Sequence, residues 1–273
     1  MKKVVLSAMA LMFATVGFAQ FNDSDVLQIG VLNSSDVNQI GISNTSDVFQ
    51  LGLTNVSDVD QLGVLNISDV DQRGRFNNST VYQEGVLNIS EVDQRGRRNV
   101  SNVVQLGVEN NSDNYQQGRR NDANVFQFGH ENESDISQFG RRNDADAIQL
   151  GSHNTSNVLQ EGRRNDTYAL QVGVGNDSDV HQFGRRNKSV SLQFGTDNGS
   201  YVDQHGFGNT SLVGQLGADN MQWTEQYGVG NTSLVGQLGL GNISKVHQDG
   251  LGHNSIVLQA GVLNNSNVVQ HNL

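Results

Sequence analysis

The sequence predicts an all-β fold, a two-sided β-solenoid of 23 eleven-residue units that make about 11.5 turns. Three observations lead to this prediction. Gln recurs every eleven residues from Gln28 to Gln270, Gly follows each Gln after two residues, and Asn follows after five, with His253 as the departure from the Asn series. No insertion interrupts the register. A fixed period of this kind is typical of repeat architectures and not of globular domains with loops.

Composition points the same way. Of 273 residues only 35% are hydrophobic, 6% aromatic and 16% charged, which is too polar for a conventional core. Disordered chains are usually rich in proline, yet this one has 31 Gly and no Pro. The absence of Cys excludes disulfides, thiolate nucleophiles and Cys-ligated metal sites. A formal net charge of −11 argues against a nucleic-acid-binding protein.

Residues 1–19 are predicted to be a secretory signal peptide. Lys2 and Lys3 form a positive start, residues 4–18 are mostly apolar, and small residues precede a cleavage site before Gln20. The mature chain, residues 20–273, is then a single repeat domain that is exported. No later segment is apolar enough to insert into a membrane.

The elements follow from the unit itself. With Asn as position 0, it reads Asn-x-Ser-x-Val-x-Gln-x-Gly-x-x, so the recurring residues occupy positions 0, 2, 4, 6 and 8. A period of two places them on one face of an extended strand. Gly at position 8 and the next two residues are predicted to form the turn, because Gly tolerates positive φ. Each unit is therefore one short strand and one arc.

The spatial period is predicted to be 22 residues. Pairs of arginines occupy the arc of every second unit: Arg97 and Arg98, Arg119 and Arg120, Arg141 and Arg142, Arg163 and Arg164, Arg185 and Arg186. Two strands and two arcs per coil explain this alternation, since alternate arcs then stack on opposite edges. At the spacing of neighbouring strands, the column is about 55 Å long.

A polar interior is expected to be held together by stacked amides. If the returning strand places position 6 opposite position 2 and position 0 opposite position 8, large residues meet small ones. Identical Gln or Asn residues one coil apart then bond as ladders, which removes a cost of roughly 1–3 kcal/mol per unpaired buried group. Unit 220–230, with Gln222 for Ser and Thr224 for Val, is expected to be the most distorted layer. The predicted ladder residues include Gln28, Gln39, Gln50, Gln61, Gln149, Gln160, Gln259, Gln270, Asn33, Asn44, Asn55, Gly30, Gly41 and Gly52.

The string from Gln39 to Gln50 resembles the curlin repeat of curli subunits, the secreted bacterial proteins that form functional amyloid in biofilm matrix. The resemblance extends from Asn22 to Gln270. It implies an amyloid-like β-solenoid, an extracellular fibre at the cell surface, export through an outer-membrane pore and nucleation on a minor curlin. This chain is longer than the familiar five-repeat subunits, and its repeats begin almost at the predicted cleavage site, where those subunits carry a targeting leader.

The function expected is structural: a subunit that polymerises into fibres for biofilm matrix and surface adhesion, without catalysis or cofactor. Two alternatives stay open, namely a monomeric secreted solenoid that binds an extended ligand such as polysaccharide or ice, and the minor curlin nucleator. The seven His residues follow no ligand spacing, so no metal site is expected.

Two surfaces are candidate interaction sites. The terminal strands around Val26 and Val268 show no cap, and an odd number of strands leaves half a coil vacant, so growth is expected to run head to tail. The arginine pairs are expected to form an edge that binds anionic matrix polysaccharide or an acidic neighbouring fibril. Asp122, Asp144 and Asp166 follow three of the pairs and are expected to neutralise them in part.

Overall fold

The computed structural model describes residues 19–272, with side chains from residue 21, and shows a column of two parallel β-sheets. Most of the predicted signal peptide, residues 1–18, lies outside the described residues. The predicted two-sided β-solenoid is confirmed. Within residues 19–272, no helix is long and apolar enough to cross a membrane. The strands are β1 Ala19–Gln20, β2 Asp23–Val31, β3 Ser34–Ile42, β4 Thr45–Leu53, β5 Val56–Val64, β6 Ile67–Arg75, β7 Asn78–Val86, β8 Ile89–Arg97, β9 Val100–Val108, β10 Asn111–Arg119, β11 Asp122–His130, β12 Glu133–Arg141, β13 Asp144–Ser152, β14 Thr155–Arg163, β15 Asp166–Val174, β16 Asp177–Arg185, β17 Lys188–Thr196, β18 Gly199–Phe207, β19 Thr210–Ala218, β20 Met221–Val229, β21 Thr232–Leu240, β22 Ile243–Leu251, β23 Asn254–Val262 and β24 Asn265–His271.

Each strand pairs with the strand two further along the chain, so that every residue lies opposite the residue 22 positions away. The odd-numbered strands form one twelve-stranded sheet and the even-numbered strands form the other. Gln116, for example, lies between Gln94 and Gln138. Because the two sequence differences are both 22, side chains of one repeat position form continuous columns.

The turn is shorter than the sequence predicted. The strands continue through Gly at position 8 and the residue after it, and the chain bends only at position 10 and the following Asn. Position 10 adopts a left-handed conformation even where it is not glycine, as at Arg120 with φ 58° and Glu131 with φ 52°. The bend is fixed by backbone bonds between coils, such as that from Arg120 N to Arg97 O at 3.0 Å.

Gly at position 8 is required chiefly because the coils approach each other closely there. At Gly129, φ is +134° and an added Cβ would lie 1.8 Å from the carbonyl oxygen of Gly151. A side chain at this position would therefore clash with backbone in the next coil. The sequence argument had assigned this glycine to the turn alone.

The core lies in a single narrow layer between the two sheets. Val48, Val59 and Val70 belong to one buried apolar cluster that draws on both sheets. Inward-facing Gln149 is fully buried, whereas its outward-facing neighbour Ile148 is half-buried. The interior therefore combines an apolar centre with flanking columns of amides.

Candidate functional site: amide ladders, column ends and the arginine edge

The Gln side chains form one ladder in each sheet. Gln149 Nε2 donates to Gln171 Oε1 at 2.9 Å and also to the backbone carbonyl of Glu133, across the core, at 2.7 Å. Each buried amide thereby finds partners both along the axis and across it, which offsets the cost of burial. The same axial bond, between 2.8 and 3.0 Å, joins Gln28 to Gln50, Gln39 to Gln61, Gln138 to Gln160, Gln160 to Gln182 and Gln248 to Gln270.

The Asn side chains bond to the backbone of the neighbouring coil. Asn66 N and Asn66 Nδ2 both donate to Asn44 Oδ1, each at 3.1 Å. Across the core, Asn44 Nδ2 donates to the Gly63 carbonyl at 3.1 Å, so position 0 lies opposite position 8. In the other column the Oδ1 of Asn33 accepts the backbone N–H of Asn55 at 3.1 Å. Each Asn therefore caps one arc and ties two coils together.

Position 2 lies opposite the Gln column and is occupied by small residues. Gln160 Nε2 donates to Thr167 Oγ1 across the core at 3.1 Å. Most Ser hydroxyls at this position, including those of Ser68 and Ser134, are buried without a hydrogen-bond partner among the described residues. Ala123 is equally buried at the same position. Small size, and not the hydroxyl group, is therefore what the packing requires here.

The irregular unit 220–230 keeps the register of its neighbours. β20 pairs residue for residue with β18 and β22. The Gln222 side chain folds back onto its own strand, where its amide oxygen accepts from Thr224 N at 2.9 Å and its nitrogen donates to the Tyr201 carbonyl at 3.3 Å. Thr224 leaves room for this amide where the usual Val would not. The two substitutions therefore compensate each other within one layer.

The Gln ladders have a direction, which makes the two ends of the column chemically different. At the β2 and β3 end, the Oε1 atoms of Gln28 and Gln39 accept no side-chain hydrogen bond within residues 19–272. At the other end, Gln259 Nε2 and Gln270 Nε2 donate only to backbone carbonyls, at 2.8 and 3.0 Å. One end thus offers amide acceptors and the other offers amide donors.

The end strands are also less buried than the rest. Among the described strands, β2 pairs only with β4, and β24 only with β22. Val26 is 43% exposed, whereas Val48, in the same repeat position one coil further, is 2% exposed. The predicted end residue Val268 is half-buried. These surfaces are cross-sections of the core open to solvent.

Backbone direction distinguishes the residues of an end strand. Asp23 N donates forward to Asn44 O at 2.8 Å, and Ile243 N donates forward to Asn264 O at 2.8 Å. Successive residues of a strand point their N–H groups to opposite neighbours. The Val26 N–H consequently faces the open edge, whereas the Val268 N–H faces β22. Val269 is the residue near that end whose N–H faces outward.

The five arginine pairs are stacked along one edge. Arg119 lies beside Arg97 and Arg141 in adjacent coils, and Arg163 lies beside Arg141 and Arg185. An aromatic ring closes each end of the column. Arg98 Cζ lies 5.6 Å from the Phe76 ring centre, and Arg186 Cζ lies 5.7 Å from that of Phe207.

The predicted neutralisation by Asp122, Asp144 and Asp166 is wrong in its simplest form. Within residues 19–272 no ion pair joins these carboxylates to the arginine pairs, and Asp166 pairs instead with Lys188 at 3.2 Å. Burial, together with Asp146, Asp122 and Asp166, raises the pKa of Asp144 to about 6, the opposite of what a nearby guanidinium would do.

The charge of the arginine edge is therefore uncompensated. Partial desolvation and the neighbouring arginines lower the pKa of Arg120, Arg141 and Arg164. The Nε atoms of Arg119, Arg141 and Arg163 are buried without a partner in the described part of the chain. A row of cations with unused donors is suited to a polyanion.

The even-numbered sheet carries a column of the opposite sign on its outer face. Asp69, Glu91, Asp113 and Asp135 lie side by side in successive coils. Burial, followed by Asp135, Glu91 and Asp93, raises the pKa of Asp113 to about 6. The two charged surfaces of the column are thus separate, one on a flat face and the other on an edge.

The geometry defines a structural repeat protein: a β-solenoid whose buried positions serve stacking and whose ends are open. The family model of the curlin associated repeat matches residues 118–151, 129–162 and 151–184. The chain is a curlin-repeat protein of the curli type. No curated protein matches the sequence.

Proposed function

We propose that this protein is the structural subunit of an extracellular curli-like amyloid fibre that grows head to tail along the solenoid axis. The observation that carries the proposal is the direction of the Gln ladders. The free Oε1 atoms of Gln28 and Gln39 at one end match the free Nε2 atoms of Gln259 and Gln270 at the other. A second copy stacked on the column continues both ladders.

The stacking also covers the open core. The first repeat strand of the incoming copy, β2, pairs with β23, and its β3 pairs with β24. Because the repeat strands number 23, each added copy is turned by half a coil, and the arginine edges alternate between the two sides of the fibre.

Cellular role and partners follow from the family. The fibre contributes to biofilm matrix and surface adhesion, the chain is secreted through an outer-membrane pore, and a membrane-associated minor curlin nucleates growth. Membership of the curlin-repeat family supports these assignments.

Fibre formation is tested with the purified mature chain. We expect unbranched fibres in negative-stain micrographs, thioflavin binding and a meridional reflection near 4.8 Å, the strand spacing along the axis. A chain that stays monomeric in light scattering, with no such reflection at any concentration tested, would exclude the proposal and favour a ligand-binding solenoid.

The arginine edge is the binding surface of the fibre for anionic matrix polysaccharide. Its support is the uncompensated charge and the unused Nε donors of Arg119, Arg141 and Arg163. Spacing matters as well, because cations repeat every strand layer, at about 4.8 Å, along a rigid line. A flexible polyanion can contact several of them at once.

Replacing Arg119, Arg141 and Arg163 by Gln removes charge from the middle of this edge. We expect binding of an anionic polysaccharide to weaken about tenfold or more at low salt, with fibre formation unchanged. The matched control replaces Arg73 and Arg95 by Gln; these residues pair with Asp71 and Asp93 at 2.6 Å on the flat face. Equal binding by wild type and the triple variant, or an equal loss in the control, would remove the edge from this role.

A further inference from the structure

The edge opposite the arginines carries a compact group of His and Glu side chains. In the described arcs of that edge, residues at positions 9 and 10 include no Lys or Arg, and most are apolar. Glu109, His130, Glu131 and His153 interrupt this series in three successive coils. The group stands apart from the ladders, the ends and the arginine edge.

The fold holds these side chains in fixed relation. Glu109, Glu131 and His153 occupy position 10, each with a left-handed backbone, at φ 56°, 52° and 56°. Backbone bonds from Glu131 N to Val108 O and from His153 N to His130 O, both 3.0 Å, tie the arcs together. The side chains thus project from stacked, rigid positions and not from a mobile loop.

The donor atoms converge on one carboxylate. His130 Nε2 lies 2.8 Å from Glu131 Oε1, and His153 Nε2 lies 2.7 Å from Glu131 Oε2. Donor atoms of Glu109, His130 and Glu131 all lie within 4.8 Å of one another. The two imidazole rings meet edge to face, with centres 5.7 Å apart.

We propose that Glu109, His130, Glu131 and His153 form a surface site for a divalent transition metal, with Zn²⁺ as the ion of best fit. Two imidazole nitrogens and carboxylate oxygens are ligands that Zn²⁺ binds at about 2.0–2.2 Å. Ca²⁺ and Mg²⁺ prefer sites built of oxygen alone. The metal takes the place of the protons that now lie between imidazole and carboxylate, and it compensates two carboxylates that stack one coil apart.

Other histidines of the described chain do not offer this arrangement. His181 meets Asp179 at 3.1 Å and His205 meets Asp203 at 2.9 Å, each as a single imidazole on a single carboxylate of the flat face. Only in the Glu109 group, within residues 21–272, do three potential ligands converge. His205 therefore supplies a matched control.

The test is calorimetric titration of Zn²⁺ into chelator-treated, full-length mature protein. We expect one tight site per chain, and a loss of affinity of tenfold or more in Glu131→Gln and, separately, in His153→Gln. His205→Gln should bind as wild type does. All these side chains are surface-exposed or partly so, and circular dichroism checks that each variant keeps the fold.

Co²⁺ supplies a second readout that depends on geometry. We expect wild type, but neither Glu131→Gln nor His153→Gln, to give the strong visible absorption of a four-coordinate cobalt site. Wild-type binding no tighter than that of Glu131→Gln, or an equal loss in His205→Gln, would show that Zn²⁺ associates only with the general negative charge of the chain.

Discussion

Replacing Gly129 by Ala is expected to destabilise the column by at least about 3 kcal/mol. The new Cβ would lie 1.8 Å from the Gly151 carbonyl oxygen, and φ at this position is +134°. Backbone strain of this kind costs about 1–3 kcal/mol, and overpacking adds about 1–3 kcal/mol more. Because the oxygen belongs to a laddered strand, it cannot move without weakening bonds to the next coil. The measurement is the denaturant midpoint of unfolding or fibre dissolution.

Gly214→Ala is the matched control for this substitution. Gly214 lies at outward-facing position 5, where an added Cβ meets nothing within 4 Å and φ is not in the left-handed region. We expect its midpoint to stay within about 0.5 kcal/mol of wild type. Similar effects of the two substitutions would mean that close approach of the coils does not govern the choice of glycine at position 8.

Architecture could be predicted from the sequence because one short unit repeats without interruption. The alternation of the arginine arcs set the coil at 22 residues, and that number alone places Arg119 between Arg97 and Arg141. The pairing of Asp166 with Lys188 also lies at a separation of 22 and was within reach of the same reasoning.

What could not be predicted depends on backbone or side-chain geometry that the repeat does not encode. Position 10 is left-handed whether it holds Arg120, Glu131 or Gly175, so no residue type announces it. His130 and His153 are 23 residues apart and meet only because their side chains both reach Glu131. Gln222 pairs within its own strand, which a column model of packing does not anticipate.

The double variant Val26→Pro, Val269→Pro is expected to remain a folded monomer that does not form fibres. The N–H groups of both residues face the open edges of the column, so Pro removes a donor there without removing a bond to β4 or β22. Proline on an edge strand blocks pairing with another chain. Thioflavin kinetics and light scattering measure the outcome. Val26→Thr, Val269→Thr is the control, because Thr keeps the N–H and the β-branched shape.

The single variant Val26→Pro separates the two ends. Its β24 edge stays open, so it can add to the β2 end of a wild-type fibre, and the proline then blocks that end against further addition. The Gln ladders make this direction specific, since only Gln259 and Gln270 supply free Nε2 donors to Gln28 and Gln39. Seeded wild-type fibres imaged in real time should then grow from one end only. Growth at both ends, or fibres from the double proline variant at the wild-type rate, would show that assembly does not proceed by pairing of the end strands.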